Sequence, residues 1–162
     1  MSILNSHLSR YYLNSIRRHR IEYYFYPDDF KKLPIKKISL DLQKPFIENV
    51  DKLLEYNIKL NEAIKSFKKY LDINFNVGKP LKRIEKYYNL SEKELFAELK
   101  KKRVKLSSIN IKEISEEFEK SITIINPLLQ QIKETDNKID QMVYDLYGLT
   151  LEEIKIIEDS LN

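Results

Sequence analysis

The chain contains no cysteine and no tryptophan, and only two glycines and two histidines among 162 residues. Each scarcity removes a class of protein. Without cysteine there is neither a disulfide framework nor a thiolate zinc site. Gly78 and Gly148 stand too far apart in the chain to build a glycine-rich phosphate loop. His7 and His19 both lie near the N-terminus with no further His or Cys partner for metal or triad chemistry. No apolar run approaches the about 20 residues that span a bilayer. In MSILNSHLSRYYLNSIRRHR the charges follow the few apolar residues, the reverse of a secretory signal. These absences predict a soluble cytoplasmic protein that is not an enzyme and carries no metal or cofactor.

What is present is charge, at 33% of residues, and its distribution is uneven. Residues 1–40 carry a net +5, 41–78 are neutral, 79–106 carry +6 and 107–162 carry −7. Two basic blocks point to a polyanion partner. The same pattern arises if the acidic final segment packs beside the basic ones. Arg17, Arg18 and Arg20, followed by Tyr23, Tyr24, Phe25 and Tyr26, combine phosphate-binding forks with rings on which bases stack. Lys31, Lys32, Lys36 and Lys37 form a second candidate cluster, and Lys100, Lys101, Lys102 and Arg103 a third. Against this stands a plainer reading: the aromatics fill a small core, and the cations are its solvated side and a charged helix end.

The segment YYFYPDDFKKLPIKKI holds a Pro-Asp pair and an Asp-x-Lys, the letters of many metal-dependent nucleases. Its spacing rules that chemistry out, because in such sites the two motifs occupy adjacent strands, whereas Asp29-Phe30-Lys31 abuts Asp28. Asp28 and Asp29 read instead as turn residues after Pro27.

Apolar residues dictate two long helices. From Pro45 they fall at Phe46, Val50, Leu53, Leu60, Ile64, Phe67 and Leu71, with Asn57 as one polar position in the seam. A second stripe runs from Ile111 through Ile114, Phe118, Ser121, Ile125, Leu128, Ile132, Thr135, Ile139 and Met142 to Leu146. Asn110 with Glu113 is a candidate cap at its start, Gly148 supplies the left-handed residue that ends it, and Pro127 interrupts one hydrogen bond. Between the stripes, Ser91 with Glu94 marks a short helix, and Thr150 with Glu153 opens a last one. Residues 3–16 read as an amphipathic helix. Only 20–40 resembles extended chain.

The end of the chain carries a family likeness. TDNKIDQMVYDLYGLTLEEIKIIE, residues 135–158, resembles the C-terminal signature of N6-adenine DNA methyltransferases that carry their own specificity region, including single-chain type IIG restriction-modification enzymes. KKLPIKKISLDLQKPFIENVDKLL is similar to the point where a target-recognition domain hands over to the spacer helix, both in those enzymes and in type I specificity subunits. KPLKRIEKYYNLSEKELFAELKKKRVKLS is similar to the segment that follows the spacer. The family's catalytic domain, with its cofactor site and adenine-pocket tetrapeptide, has no counterpart here.

The resulting expectation is a mainly α protein: an antiparallel coiled-coil helical hairpin with short accessory helices and a small extended N-terminal segment. Residues 1–40 form the basic aromatic segment, and 41–162 the helical spacer, with long helices at about 45–75 and 109–147, short ones at about 79–105 and a last one at about 150–161. The resemblance implies a non-catalytic DNA-recognition and spacer module of a restriction-modification system, with duplex DNA and a methyltransferase subunit as partners and no membrane contact. The competing reading is a structural coiled coil or gene remnant that homodimerises through its seams without binding DNA.

Overall fold

A computed structural model describes residues 2–16, 27–78, 82–102, 104 and 106–161, and every regular element among them is helical. The elements are α1 (Ser2–Asn5), α2 (His7–Ile16), α3 (Pro27–Phe30), α4 (Leu40–Phe75), α5 (Lys82–Glu85), a 3-10 turn (Tyr87–Asn89), α6 (Glu92–Lys101), α7 (Ser108–Tyr147) and α8 (Leu151–Leu161). The fold is mainly α and contains the expected helical hairpin, formed by α4 and α7. The chain divides into two units, Met1–Leu54 with Lys133–Asn162, and Glu55–Ile132. Both long helices contribute a segment to each.

In the unit of residues 55–132, α4 and α7 run antiparallel, with Phe67 against Phe118 at a ring-centroid distance of 5.9 Å. Leu60, Phe67 and Leu71 of α4 share one core with Ile114, Phe118, Ile125 and Leu128 of α7. Tyr87 enters the same core fully buried, its ring centroid 4.5 Å from that of Phe67. Its hydroxyl meets Ser121 Oγ at 2.5 Å, which explains why the α7 seam tolerates a serine. A buried hydroxyl needs a partner, and each of these two is the other's.

The unit of residues 1–54 and 133–162 buries Leu13, Leu33, Ile139, Val143, Tyr144 and Ile157, and α2 packs against α1, α3 and α8. The buried asparagine of α4 is Asn49, in this unit, and not the Asn57 that the seam spacing selects. Asn57 is exposed, whereas the Asn49 amide donates to Pro45 O at 2.6 Å and faces Met142 Sδ at 3.6 Å.

The ends of the elements follow local chemistry. The Ser91–Glu94 and Thr150–Glu153 capping boxes both form. Gly148 takes φ +69°, with Leu149 N donating to Tyr144 O and Gly148 N to Asp145 O, so two orphan carbonyls of α7 are satisfied. The start of α7 departs from expectation: Ser107 Oγ accepts from Asn110 N, and Asn110 Oδ1 accepts from Ser107 N. Asn110 therefore answers a cap three residues earlier instead of being one. Helix α4 likewise begins at Leu40, which places Pro45 inside it rather than at its first turn. Of the expected extended stretch, residues 20–26 lie outside the described residues, Pro27–Phe30 form a helical turn, and residues 34–39 have no regular structure.

Candidate functional site

The lysine segment 31–37 is built on α3. Pro27 opens that turn, where its missing N–H costs nothing. Asp28 and Asp29 each draw the lysine three residues on: Lys31 Nζ lies 2.8 Å from Asp28 Oδ1, and Lys32 Nζ 3.2 Å from the buried Asp29. The two carboxylates are local ion-pair partners.

Lys36 is held more firmly. Its Nζ donates at 2.8 Å to Leu146 O, one of the orphan carbonyls in the last turn of α7, where the helix dipole favours a cation. Its backbone N–H donates to Tyr147 Oη at 3.1 Å, and that hydroxyl in turn donates to Pro34 O at 2.7 Å. Lys37 is exposed and, among the described residues, pairs with no carboxylate. The segment thus tethers three of its four lysines within the chain and presents one.

The third basic cluster lies in the other unit. Lys101 Nζ sits 2.7 Å from Glu98, whose side chain is almost fully covered and also meets Arg83 at 3.2 Å. The Lys101 hydrogen bond, reinforced by the charges of Lys101 and Arg83, holds the Glu98 carboxyl below the usual glutamate range. Lys100 is exposed, and Lys102 caps α6 with its amide donating to Leu99 O at 3.0 Å. Arg17, Arg18, Arg20 and Arg103 lie outside the described residues.

One polar constellation escapes sequence reasoning. His7 N, the first amide of α2, donates to Asp140 Oδ1 at 2.8 Å, and His7 Nδ1 lies 3.2 Å from Glu158 Oε1 and 3.4 Å from Asp140 Oδ2. Tyr144 donates its hydroxyl to the same Glu158 oxygen at 2.5 Å. Burial pushes the Asp140 carboxyl up from its ordinary value against the pull of the His7 amide, and burial also raises Asp136. The Tyr144 hydrogen bond holds Glu158 low. Burial, then the Glu158 bond, pushes the Tyr144 phenol up, so it remains a donor. Chemically this is a pin, joining the start of α2 to α7 and α8 by charge-assisted bonds. The available hint was the i, i+4 spacing of Asp136, Asp140 and Tyr144. Nothing in the sequence links it to a histidine more than a hundred residues away. Among the described residues, no group of three His, Cys, Asp or Glu side chains could hold a metal ion, and no helix is long and apolar enough to cross a membrane.

Fold and site together define a helical-hairpin protein whose basic segment is docked on the end of its second long helix. Residues 39–143 match the family described as a domain of unknown function, DUF8810, and the chain belongs to that family. No curated protein and no solved structure matches the chain.

Proposed function

We propose that the protein is a non-catalytic helical spacer and docking module of a DNA adenine methyltransferase system, which touches duplex DNA through its uncommitted cations. The antiparallel pairing of α4 and α7 within residues 55–132 carries the proposal, because two helices closed on a shared apolar core make a stiff element on which other surfaces can dock. Two of the segments that resemble methyltransferase specificity regions fall on the lysine segment with the start of α4, and on the end of α7 with α8. Lys37 and Lys100 are the described phosphate contacts of this reading, alongside Arg17, Arg18 and Arg20.

A structural hairpin without DNA affinity is favoured by a different observation: Lys31, Lys32, Lys36 and Lys101 already have acceptors within the chain. Titration of a fluorescent duplex at increasing potassium chloride separates the two readings. Counterion release predicts a steep linear fall of log K with log salt, with a slope that becomes shallower by about one to two in Lys37→Glu/Lys100→Glu. Weak binding with no salt slope, or a slope that neither this variant nor neutralisation of Arg17, Arg18 and Arg20 alters, sinks DNA contact and leaves the structural hairpin.

A further inference from the structure

Helix α4 carries a second apolar stripe that the hairpin does not use. Leu40, Ile47 and Leu54 recur at intervals of seven and are 77%, 54% and 59% exposed. Along one flank of this stripe runs a groove of about 610 Å³, whose apolar walls include Ile3, Leu4, Ile35, Phe46 and Val50. Leu4 and Ile35 are themselves exposed, at 40% and 50%. Large side chains left open together on one face mark an interaction surface. All of these residues belong to one unit.

We infer that this face pairs with the same face of a second copy of the chain, the two α4 helices crossing antiparallel about a two-fold axis at Ile47. The sequence of the stripe is self-complementary in that register alone. Leu40 and Leu54 lie equally far on either side of Ile47, so each meets the other's counterpart, and Ile47 meets itself. Lys44 precedes the axis by three residues, and Asp51, which borders the groove, follows it by four. The antiparallel arrangement brings Lys44 of each copy beside Asp51 of the other, giving two reciprocal ion pairs at positions where helix pairs select their partners. Asp51 is exposed and has no ion-pair partner among the described residues, while Lys44 holds only the exposed Asp41 at 2.8 Å. Within one helix Lys44 and Asp51 are two turns apart and do not meet. A parallel two-fold pairing would put the two Lys44 side chains on opposite flanks of the helix pair, and likewise the two Asp51, so neither ion pair would form. The heptad stops at Asn61, which limits the interface to the first half of α4. The seams that build the hairpin core are closed within one chain, so this dimer is distinct from one made by exchanging them.

Sedimentation velocity of the full chain from about 1 to 200 µM measures it. The expected result is a mass rising from 19.5 kDa towards twice that value. Ile47→Glu, at an exposed site, should stay at the monomer mass with its helical circular dichroism unchanged. Lys44→Asp and Asp51→Lys should each raise the dissociation constant about tenfold or more, and the double exchange should bring it back to within about threefold of the parent. Three results would overturn the proposal: a parent chain still monomeric at the highest concentration, a dimer that survives Ile47→Glu, or a double exchange no tighter than the single variants. In the first case the face serves another occupant.

Discussion

The hydroxyl of Tyr147 donates to the carbonyl of Pro34 at 2.7 Å while accepting the Lys36 amide at 3.1 Å, closing the segment that precedes α4 onto the last residue of α7. One side chain therefore holds two backbone groups that have no partner in any helix. Tyr147→Phe removes both bonds and keeps the ring. It should destabilise the protein by about 0.5–1.5 kcal/mol, and amide exchange at Lys36 should accelerate by far more than exchange in the middle of α7. Unchanged protection of the Lys36 amide would mean that the segment is held by something else.

Lys36 makes a related prediction. Its ammonium answers Leu146 O, so Lys36→Met, which keeps the stem and removes the charge, should lower the melting temperature by a few degrees. Lys37→Met should leave it unchanged. Thermal melts of the two variants side by side would show whether adjacent lysines have separate duties.

The Tyr87–Ser121 pair is a polar contact buried within the 55–132 core. Tyr87→Phe leaves the Ser121 hydroxyl in an apolar setting and should cost about 1–2 kcal/mol. Adding Ser121→Ala should cost less than a second such loss, since the orphaned group is then gone. A double-mutant cycle by urea denaturation reads the coupling, and purely additive changes would contradict the bond.

Neighbouring residues of α7 should respond very differently. Ile125→Ala empties a fully buried site and should cost about 2–5 kcal/mol, whereas Ile124→Ala, at 56% exposure, should stay within about 0.5 kcal/mol. Ile139→Asp places a charge at a site only 5% exposed and should prevent folding. At the half-buried Ile132 the same change should be milder, because the side chain keeps access to water.

The His7 cluster predicts two opposite pH dependences. Folded Asp140 keeps its proton to a higher pH than the unfolded chain does, so its contribution to stability is complete below the ordinary aspartate pKa and is lost as pH rises through the raised folded value. Asp140→Asn keeps an acceptor for the His7 amide and removes that loss. The variant should gain on the parent as pH increases above the aspartate range. Folded Glu158 is shifted low, so its contribution is complete above the ordinary glutamate pKa and is lost on acidification; Glu158→Gln should gain on the parent as pH falls. Denaturation midpoints at about pH 3, 5 and 7 measure both. Slopes of the same sign in the two variants would refute the assignment.

Local chemistry was legible wherever a signal and its partner lie within one or two turns. The seam through Leu60, Phe67 and Leu71 and its counterpart from Ile114 to Leu128 are buried as their spacing demands. Both short capping boxes and the glycine stop at Gly148 are in place. The cap of α7 shifted from Asn110 to Ser107 because both residues suit the role, and the extra turn of helix from Ser107 satisfies both. Among the candidate basic residues, charge alone could not separate Lys36, bound to a helix end, from Lys37, exposed beside it.

The sequence by itself determined a helical protein with two long apolar seams, since periodicity is a property of one strand of chain and needs no partner to be read. It also set where the helices end, through serine, threonine, glutamate and glycine side chains acting on their own backbones. Tertiary structure alone decided which polar groups are used: that Asn49 and not Asn57 is buried, that Ser121 serves Tyr87, and that Asp140 receives the first amide of α2. A buried polar group is stable only beside its complement, and the complements of Ser121 and Asp140 come from distant parts of the chain.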